Sequence, residues 1–298
     1  MSPKDLFNPL FSCAARVCER SPGARSALRT IDFRGKARIL SRIRADRIGR
    51  EITATWQGFR FHLDLGDERQ RNMYFNCNDP LDLQELECAL KVIPVGGTCV
   101  DVGANIGIFT LPFAKRVGSR GSIHAFEPDR LNFKRLVANS ALNGFEHIIR
   151  CHQMAVSNTS GQVSFYRSDS NHSGWGSVVE FKDIAVEHEV VPAITLDEFL
   201  SSEKISTVDL LKVDVEAHEP ELLEGARRSL AAKAFRVILI ECNGVRLSQR
   251  GKTLGDLLDP ILAAGYAPQF MRQDALRSLQ SGRTPFNTVC TTFAFAAA

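Results

Sequence analysis

Two groups of residues in this 298-residue chain carry side chains suited to chemistry. The denser is Lys212-Val-Asp214-Val-Glu216-Ala-His218-Glu219, where a lysine, three carboxylates and an imidazole fall within eight residues. Side chains of these types are what proton transfer with a bound substrate requires. The other is Asp101-Val-Gly103-Ala-Asn105-Ile-Gly107, followed twenty residues after its last glycine by Glu127. An acid at that point, ending the apolar run 122–126, is placed to accept hydrogen bonds from both hydroxyls of a ribose, so an adenosine-type cofactor is expected. Gly103 and Gly107 let the backbone turn sharply and come close to a ligand. A dinucleotide needs room for its pyrophosphate against the helix start, yet Asn105 and Ile106 stand where small residues would give it. S-adenosylmethionine carries no phosphate, and Asp101 suits its cationic sulfonium and amino-acid tail. The plainer reading, a left-handed turn in an ordinary βαβ unit that binds nothing, is disfavoured by the interval to Glu127.

These residues need a sheet to hold them. The run 98–102 reads as a strand buried on both faces. A helix is expected after Gly107, with Pro112 making its first turn irregular and Gly118 stopping it. A second helix spans about 129–142 and ends at Asn143-Gly144. Residues 148–152 form a third strand, and Ala155 and Val156 follow near the expected adenine position, where apolar contact and backbone hydrogen bonds would hold the base. In the strand 208–213, alternation sends Lys212 and Asp214 to one side, with Asp214 at the carboxyl end where open α/β sheets bind ligands. Structural roles compete: Glu219 as a cap, Glu221 as a complement to the helix dipole, Lys212 as a neutraliser of Asp214. Glu216 and His218 have no comparable alternative. Glu241 ends the next strand with Asn243 two residues on. Asp214, Glu241 and Asn243 would be the oxygen ligands if Mg²⁺ were used, a reading not favoured because nothing fixes the ligand geometry, so no metal site is assigned.

The ordered set Asp101-Val-Gly-Ala-Asn-Ile-Gly107, Phe126-Glu127-Pro128, Leu136, Asn139 and Asn143, Ala155-Val156-Ser157, Lys212-Val-Asp-Val-Glu-Ala-His-Glu219 and Glu241 resembles the FkbM-type family of S-adenosylmethionine-dependent methyltransferases over about residues 70–245. The resemblance implies an α/β, class I methyltransferase fold: a doubly wound, mostly parallel seven-stranded sheet with a C-terminal antiparallel hairpin strand, preceded here by an N-terminal helical and β-hairpin extension. It implies O-methylation of a hydroxyl on a sugar, glycan or secondary metabolite, with Lys212, Asp214, Glu216, His218 and Glu219 as catalytic candidates. Asp101, Gly103, Asn105, Gly107, Glu127, Ala155 and Val156 are the cofactor-binding candidates. Ala217 departs from the glycine usual in the family and disfavours a positive φ there. An RNA ribose 2′-O-methyltransferase and a non-catalytic cofactor-binding partner module are the alternatives.

The rest of the chain sets the context. Residues 1–50 hold twelve Lys or Arg against four acids, a balance of +8, leaving −5 for the remainder of a chain whose net charge is +3. This basic helical arm is expected to present a solvated face over 31–50, with an anionic partner as the functional alternative, while the apolar spacing from Leu6 to Cys18 is expected to pack on the body or a second subunit. Residues 51–97 read as a β-hairpin and helix leading into a catalytic domain over 98–298, interrupted by an insertion at 163–191. Within the insertion, 163–166 and 177–181 read as paired strands around a polar loop with His172 and Trp175, a candidate lid over the acceptor. Eight cysteines without C-x-x-C spacing read as reduced thiols. No apolar run reaches the roughly 18 residues of a membrane span, nor does the N-terminus look like a signal peptide, so a cytoplasmic location is expected, with a homo-oligomer open.

Overall fold

The computed structural model describes residues 8–30, 36–40, 43, 50–77, 80–167, 176–181, 187–270 and 291–297. Leu6, His172 and Trp175, named above, lie outside the described residues, as do 31–35, 41–42 and 44–49 of the basic segment. The described chain divides into two compact units, one reaching Gln84 and the other beginning at Glu85. No described helix is long and apolar enough to cross a membrane, and the described cysteines are thiols.

The first unit opens with α1 (Asn8–Arg20) and α2 (Pro22–Thr30). Ser21 turns one into the other, its hydroxyl accepting the Ala24 amide at 3.2 Å, and Arg25 donates to the carbonyls of Cys18 and Glu19 at the negative end of α1. In α3 (Lys36–Leu40), Lys36, Ile39 and Leu40 are buried. In its described part the basic segment is therefore not a purely solvated face, since Ile39, Leu40 and Ile43 are buried. Strands β1 (Glu51–Trp56) and β2 (Phe59–Asp64) pair across Gln57 and Gly58, whose φ of 48° and 81° are the two left-handed residues that a tight hairpin turn requires. Asp67 caps α4 (Glu68–Tyr74), and α5 (Pro80–Val92) runs across the boundary at Gln84.

In the second unit the chain runs β3 (Thr98–Val102), α6 (Thr110–Val117), β4 (Ser122–Phe126), α7 (Arg130–Leu142), β5 (Ile149–His152), β6 (Ala155–Val156), β7 (Gly161–Arg167), β8 (Glu187–Ile194) and α8 (Leu196–Ser202). It continues through β9 (Val208–Val213), α9 (Glu219–Glu224), α10 (Arg227–Ala231), β10 (Phe235–Cys242), α11 (Gly244–Gln249), α12 (Leu254–Ala263), β11 (Tyr266–Phe270) and β12 (Thr291–Ala297). Seven strands form one sheet in the order β11-β12-β10-β9-β3-β4-β5. The pairs from β10 to β5 are parallel and β12 is antiparallel to both neighbours. This is the α/β, doubly wound and mostly parallel seven-stranded sheet that the family resemblance implied. The reversal of strand order beside β3 opens the crevice at the carboxyl ends where ligands bind in such sheets.

Two local expectations are corrected. Strand β7 pairs along its length with β8, and of residues 177–181 only Ser177 joins it, through a single bridge to Tyr166. The true partner was hidden because Glu187-His-Glu189 begins it with charge, whereas Val178 and Val179 look more strand-like. The helix after Gly107 begins only at Thr110, so that Pro112 sits in its first turn, where a missing amide costs no intrahelical bond.

On one side of β4 and β5, His124 and His152 stack 5.5 Å apart with Phe199 of α8 edge-on to both, and His124 Nδ1 lies 3.3 Å from His152 Nε2. Burial, aided by His152 and Arg150, lowers the His124 pKa to about 4. An unfolded histidine titrates near 6.5, so the unfolded chain takes up this proton first as the pH falls. The stability conferred by neutral His124 is complete above about pH 6.5 and is lost toward pH 4. Between pH 7 and pH 5 His124→Phe should lose less thermal stability than the parent. Equal losses in a melting series would show that His124 does not set the acid limb.

Candidate active site

The sheet register gathers the charged residues. Asp101 on β3 is the direct partner of Lys212 on β9 and of Ala125 on β4, and Leu239 on β10 is the partner of Lys212. Partners in a parallel ladder share a face, as do residues two apart. Alternation therefore puts Asp101, Glu127, Lys212, Asp214 and Glu241 on one side of four neighbouring strands, near their carboxyl ends.

Lys212 is buried at the centre of this row. Its Nζ lies 3.2 Å from Asp214 Oδ2, 3.8 Å from Asp101 Oδ1 and 5.0 Å from the centroid of the Phe109 ring. Burial works against its charge, but Asp214, Asp101 and Glu241 outweigh it and hold the ammonium above the ordinary lysine range. Asp101 is wholly buried, which raises its pKa although Lys212 and the Thr110 hydroxyl, 2.6 Å from Oδ2, pull the other way. Its Oδ1 takes no hydrogen bond. Thr110, the first residue of α6, is a site neighbour that sequence reasoning missed, though a hydroxyl nine residues after the strand acid was there to be read.

Glu127 emerges from β4 with both oxygens held by backbone. The Asn105 amide donates to Oε2 at 2.7 Å and the Asp129 amide to Oε1 at 2.9 Å. Burial and the Asp129 charge raise its pKa to about 8, and the two amides offset part of this. Asn105 has φ 52°, and its side chain accepts the Ile106 amide, a local bond that lets Asn occupy the left-handed region. Asn139 donates to the Ile106 carbonyl and Asn143 to the Asn139 carbonyl, bracing this turn from α7.

The glycines answer to the protein's own backbone. A Cβ on Gly103, at φ 80°, would stand 1.8 Å from the Asp214 carbonyl oxygen, and one on Gly107 would meet Leu136 at 3.1 Å. The expectation that they make room for a ligand thus acquires a nearer cause. Gly103 lets the ends of β3 and β9 close on each other, where the Asp214 amide also donates to the Val102 carbonyl.

Residues 101–268, more than half of the chain, match the profile of the Methyltransferase FkbM domain. The chain belongs to the FkbM methyltransferase family. It thereby carries an S-adenosylmethionine-dependent methyltransferase domain. Hexuronic acid methyltransferase AglP of Haloferax volcanii is 29% identical over 140 residues, which are 47% of this chain and 54% of that protein. The 31-O-demethyl-FK506 methyltransferase FkbM of Streptomyces tacrolimicus is 29% identical over 157 residues, 44% of this chain and 59% of its own. The chain spans little more than half the length of these relatives. Among solved structures, a TehB-like SAM-dependent methyltransferase from Corynebacterium glutamicum aligns with a TM-score of 0.42 at 14% identity, over 78% of this chain and 95% of that one.

In this FkbM-family domain the loop after β9 turns through two left-handed residues, Glu216 at φ 51° and Ala217 at φ 69°. Ala217 therefore adopts the conformation that its Cβ disfavours. The turn is held by Glu219, whose Oε1 accepts the amides of Ala217 at 3.1 Å and Val215 at 3.4 Å, and by Arg250, which binds the Ala217 carbonyl. Glu219 is buried, and burial with the nearby Glu216 and Asp214 charges raises its pKa to about 8. Glu216 lies 3.6 Å from Arg246 Nε, and that guanidinium sits 4.9 Å over the Phe181 ring. The polar contacts of His218 are with Ser157, 2.9 Å from Nε2, and Glu221, 3.6 Å from Nδ1. Burial lowers its pKa to about 4 against the pull of Glu221. Glu221 is not merely a dipole complement, since Arg250 binds it through both nitrogens at 2.7 and 3.0 Å.

The other candidates take structural positions. Ala155 and Val156 pair with Ala193 and Ile194 of β8 and are buried among apolar side chains. Asn243 caps α11, its side-chain oxygen accepting the Arg246 amide at 3.2 Å. Among the described residues no three His, Cys, Asp or Glu gather to hold a metal ion.

Proposed function

We propose that this protein is an S-adenosylmethionine-dependent O-methyltransferase that methylates a hydroxyl of a sugar, glycan or secondary metabolite. The observation that carries the reading is the row of Glu127, Asp101, Lys212 and Asp214 on one side of adjacent parallel strands, which sets donor-gripping and proton-accepting groups side by side. The two relatives, named for a hexuronic acid and for 31-O-demethyl-FK506, support a hydroxyl-bearing acceptor.

The residues fit the donor. Glu127, fixed by two amides, keeps lone pairs for the ribose hydroxyls, and the buried Asp101 Oδ1, without a hydrogen bond, suits an ammonium donor. When bound, S-adenosylmethionine supplies a methyl group made electrophilic by a cationic sulfur. The chain's own task is to hold the acceptor oxygen in line and take its proton as bonding develops. Asp214 is the base: Lys212 fixes Oδ2 and leaves Oδ1 for the hydroxyl. Glu216, held by Arg246, orients the acceptor. Glu219 and His218 serve the turn that presents both carboxylates. No step requires a metal, so EDTA should leave turnover unchanged. Loss with EDTA and recovery with Mg²⁺ would instead assign Asp214 and Glu241 to a cation.

At pH 9, above the Glu127 pKa of about 8, Glu127→Gln removes the charge from the ribose contacts and should weaken S-adenosylhomocysteine binding about tenfold in calorimetry, the difference between charged and neutral hydrogen bonds. Unchanged affinity, or preferential binding of NAD by the parent, would sink the donor assignment. The acceptor class is tested by incubating the protein with radiolabelled S-adenosylmethionine and cell extract fractionated into RNA, glycan, protein and small molecules. Label in the RNA fraction alone would overturn it.

A further inference from the structure

The turn after β4 is anchored from the β7–β8 pair. Asp129, whose amide holds Glu127 Oε1, turns its carboxylate to the start of α7, where Oδ1 accepts the amides of Leu131 and Asn132 at 2.8 Å each. Its Oδ2 is bound by Arg167 Nε. Arg167 is the last residue of β7, and its other nitrogens lie 2.9 Å from Glu189 and 3.4 Å from Glu187 on β8. Glu127 and Asp129 are both nearly inaccessible, with exposures of 5% and 4%. Two carboxyls of one turn are thus buried together, and the charged groups that act on them are Arg167 from β7 and Lys212 from β9, with the Asn105 amide and the positive end of α7 as dipoles.

We propose that Arg167 is a positioning residue of the donor site, holding the Asp129 carboxylate and through it the turn whose amide fixes Glu127. The inference rests on the reading that Glu127 takes the ribose hydroxyls. Arg167 acts in two ways. Its planar fork locks the Asp129 side chain in one direction while keeping a second hold on β8. Its charge also offsets part of that of Asp129, a neighbour whose negative field opposes ionisation of Glu127. A carboxylate binds hydroxyls more strongly than a neutral acid, so an ionised Glu127 is the better ligand.

S-adenosylhomocysteine titrations of the full chain between pH 6 and pH 9 test this without reference to turnover. Parent affinity should rise with pH as Glu127 ionises. Arg167→Gln should weaken binding about tenfold at neutral pH and move the half-maximal pH upward, whereas Arg167→Lys should keep the parent's midpoint because the charge remains. Asp129→Asn should move the midpoint down, and in that background Arg167→Gln should change nothing further, as expected of two residues acting through one contact. Parent-like affinity and midpoint in Arg167→Gln would overturn the proposal, as would an undiminished effect of that substitution beside Asp129→Asn. If Arg167→Gln does not fold, the Lys and Asn variants decide the matter through their midpoints. The outcome is separable from the function reading: a weakened Glu127→Gln beside an unaffected Arg167→Gln discards the role of Arg167 alone, and an unaffected Glu127→Gln discards both.

Discussion

Asp214→Asn should lower kcat by about 10²–10⁴ while leaving S-adenosylhomocysteine affinity within about twofold, the signature of an interaction made with the reacting proton and not with the donor. The amide is isosteric and can still accept from Lys212, so the geometry at 3.2 Å survives while the basicity is gone. The neighbourhood sharpens the expectation. Lys212 remains buried and charged, with Asp101 as its other contact, so the substitution does not leave it without a counter-ion. Glu216→Gln provides the contrast, because Glu216 is already engaged by Arg246 and should affect the KM of the acceptor more than kcat. Parallel measurement of kcat and KM for the two variants separates the roles. Full turnover in Asp214→Asn would show that positioning alone carries the reaction.

The second large effect is on stability and follows from one missing side chain. Gly103→Ala forces a Cβ to within 1.8 Å of the Asp214 carbonyl oxygen at a φ of 80°. Left-handed strain costs about 1–2 kcal/mol and overpacking against backbone about 1–3 more, so a loss of roughly 2–5 kcal/mol is expected. Gly144→Ala is the control, for its φ is 72° and its Cβ would meet nothing within 4 Å. It should show the strain without the clash. Thermal melts of the two variants measure the difference, and similar melting temperatures would mean that the strand ends separate freely. Because the obstructing oxygen belongs to Asp214 itself, any surviving Gly103→Ala protein should also lose turnover.

What could be read from the chain divides along the range of the forces involved. Alternation within β9 puts Lys212 and Asp214 on one side with no knowledge of the fold, and the interval from Gly107 to Glu127 marks one βαβ turn. The partners of those residues were less visible. Ser157 meets His218 across 61 positions and Arg167 meets Asp129 across 38, contacts that no periodicity announces. The local rule failed at Ala217, where propensity argues against a positive φ and Glu219 with Arg250 imposes it. It failed again at β8, whose charged start concealed a strand that pairs over seven residues of β7. The described part of the N-terminal basic segment misled because its charges are more conspicuous in sequence than Ile39 and Leu40, which are buried.

The shared register of β4, β3, β9 and β10 has a practical consequence. Neighbouring strands in such a ladder are spaced about 4.8 Å apart by their hydrogen bonds. The separation between Glu127, proposed to grip the donor, and Asp214, proposed as the base, is therefore set by the strand spacing of the backbone. For an engineer this makes the strands a fixed gauge. Whatever segments cover the strand ends can be exchanged to admit a new acceptor without changing the spacing between these two carboxylates.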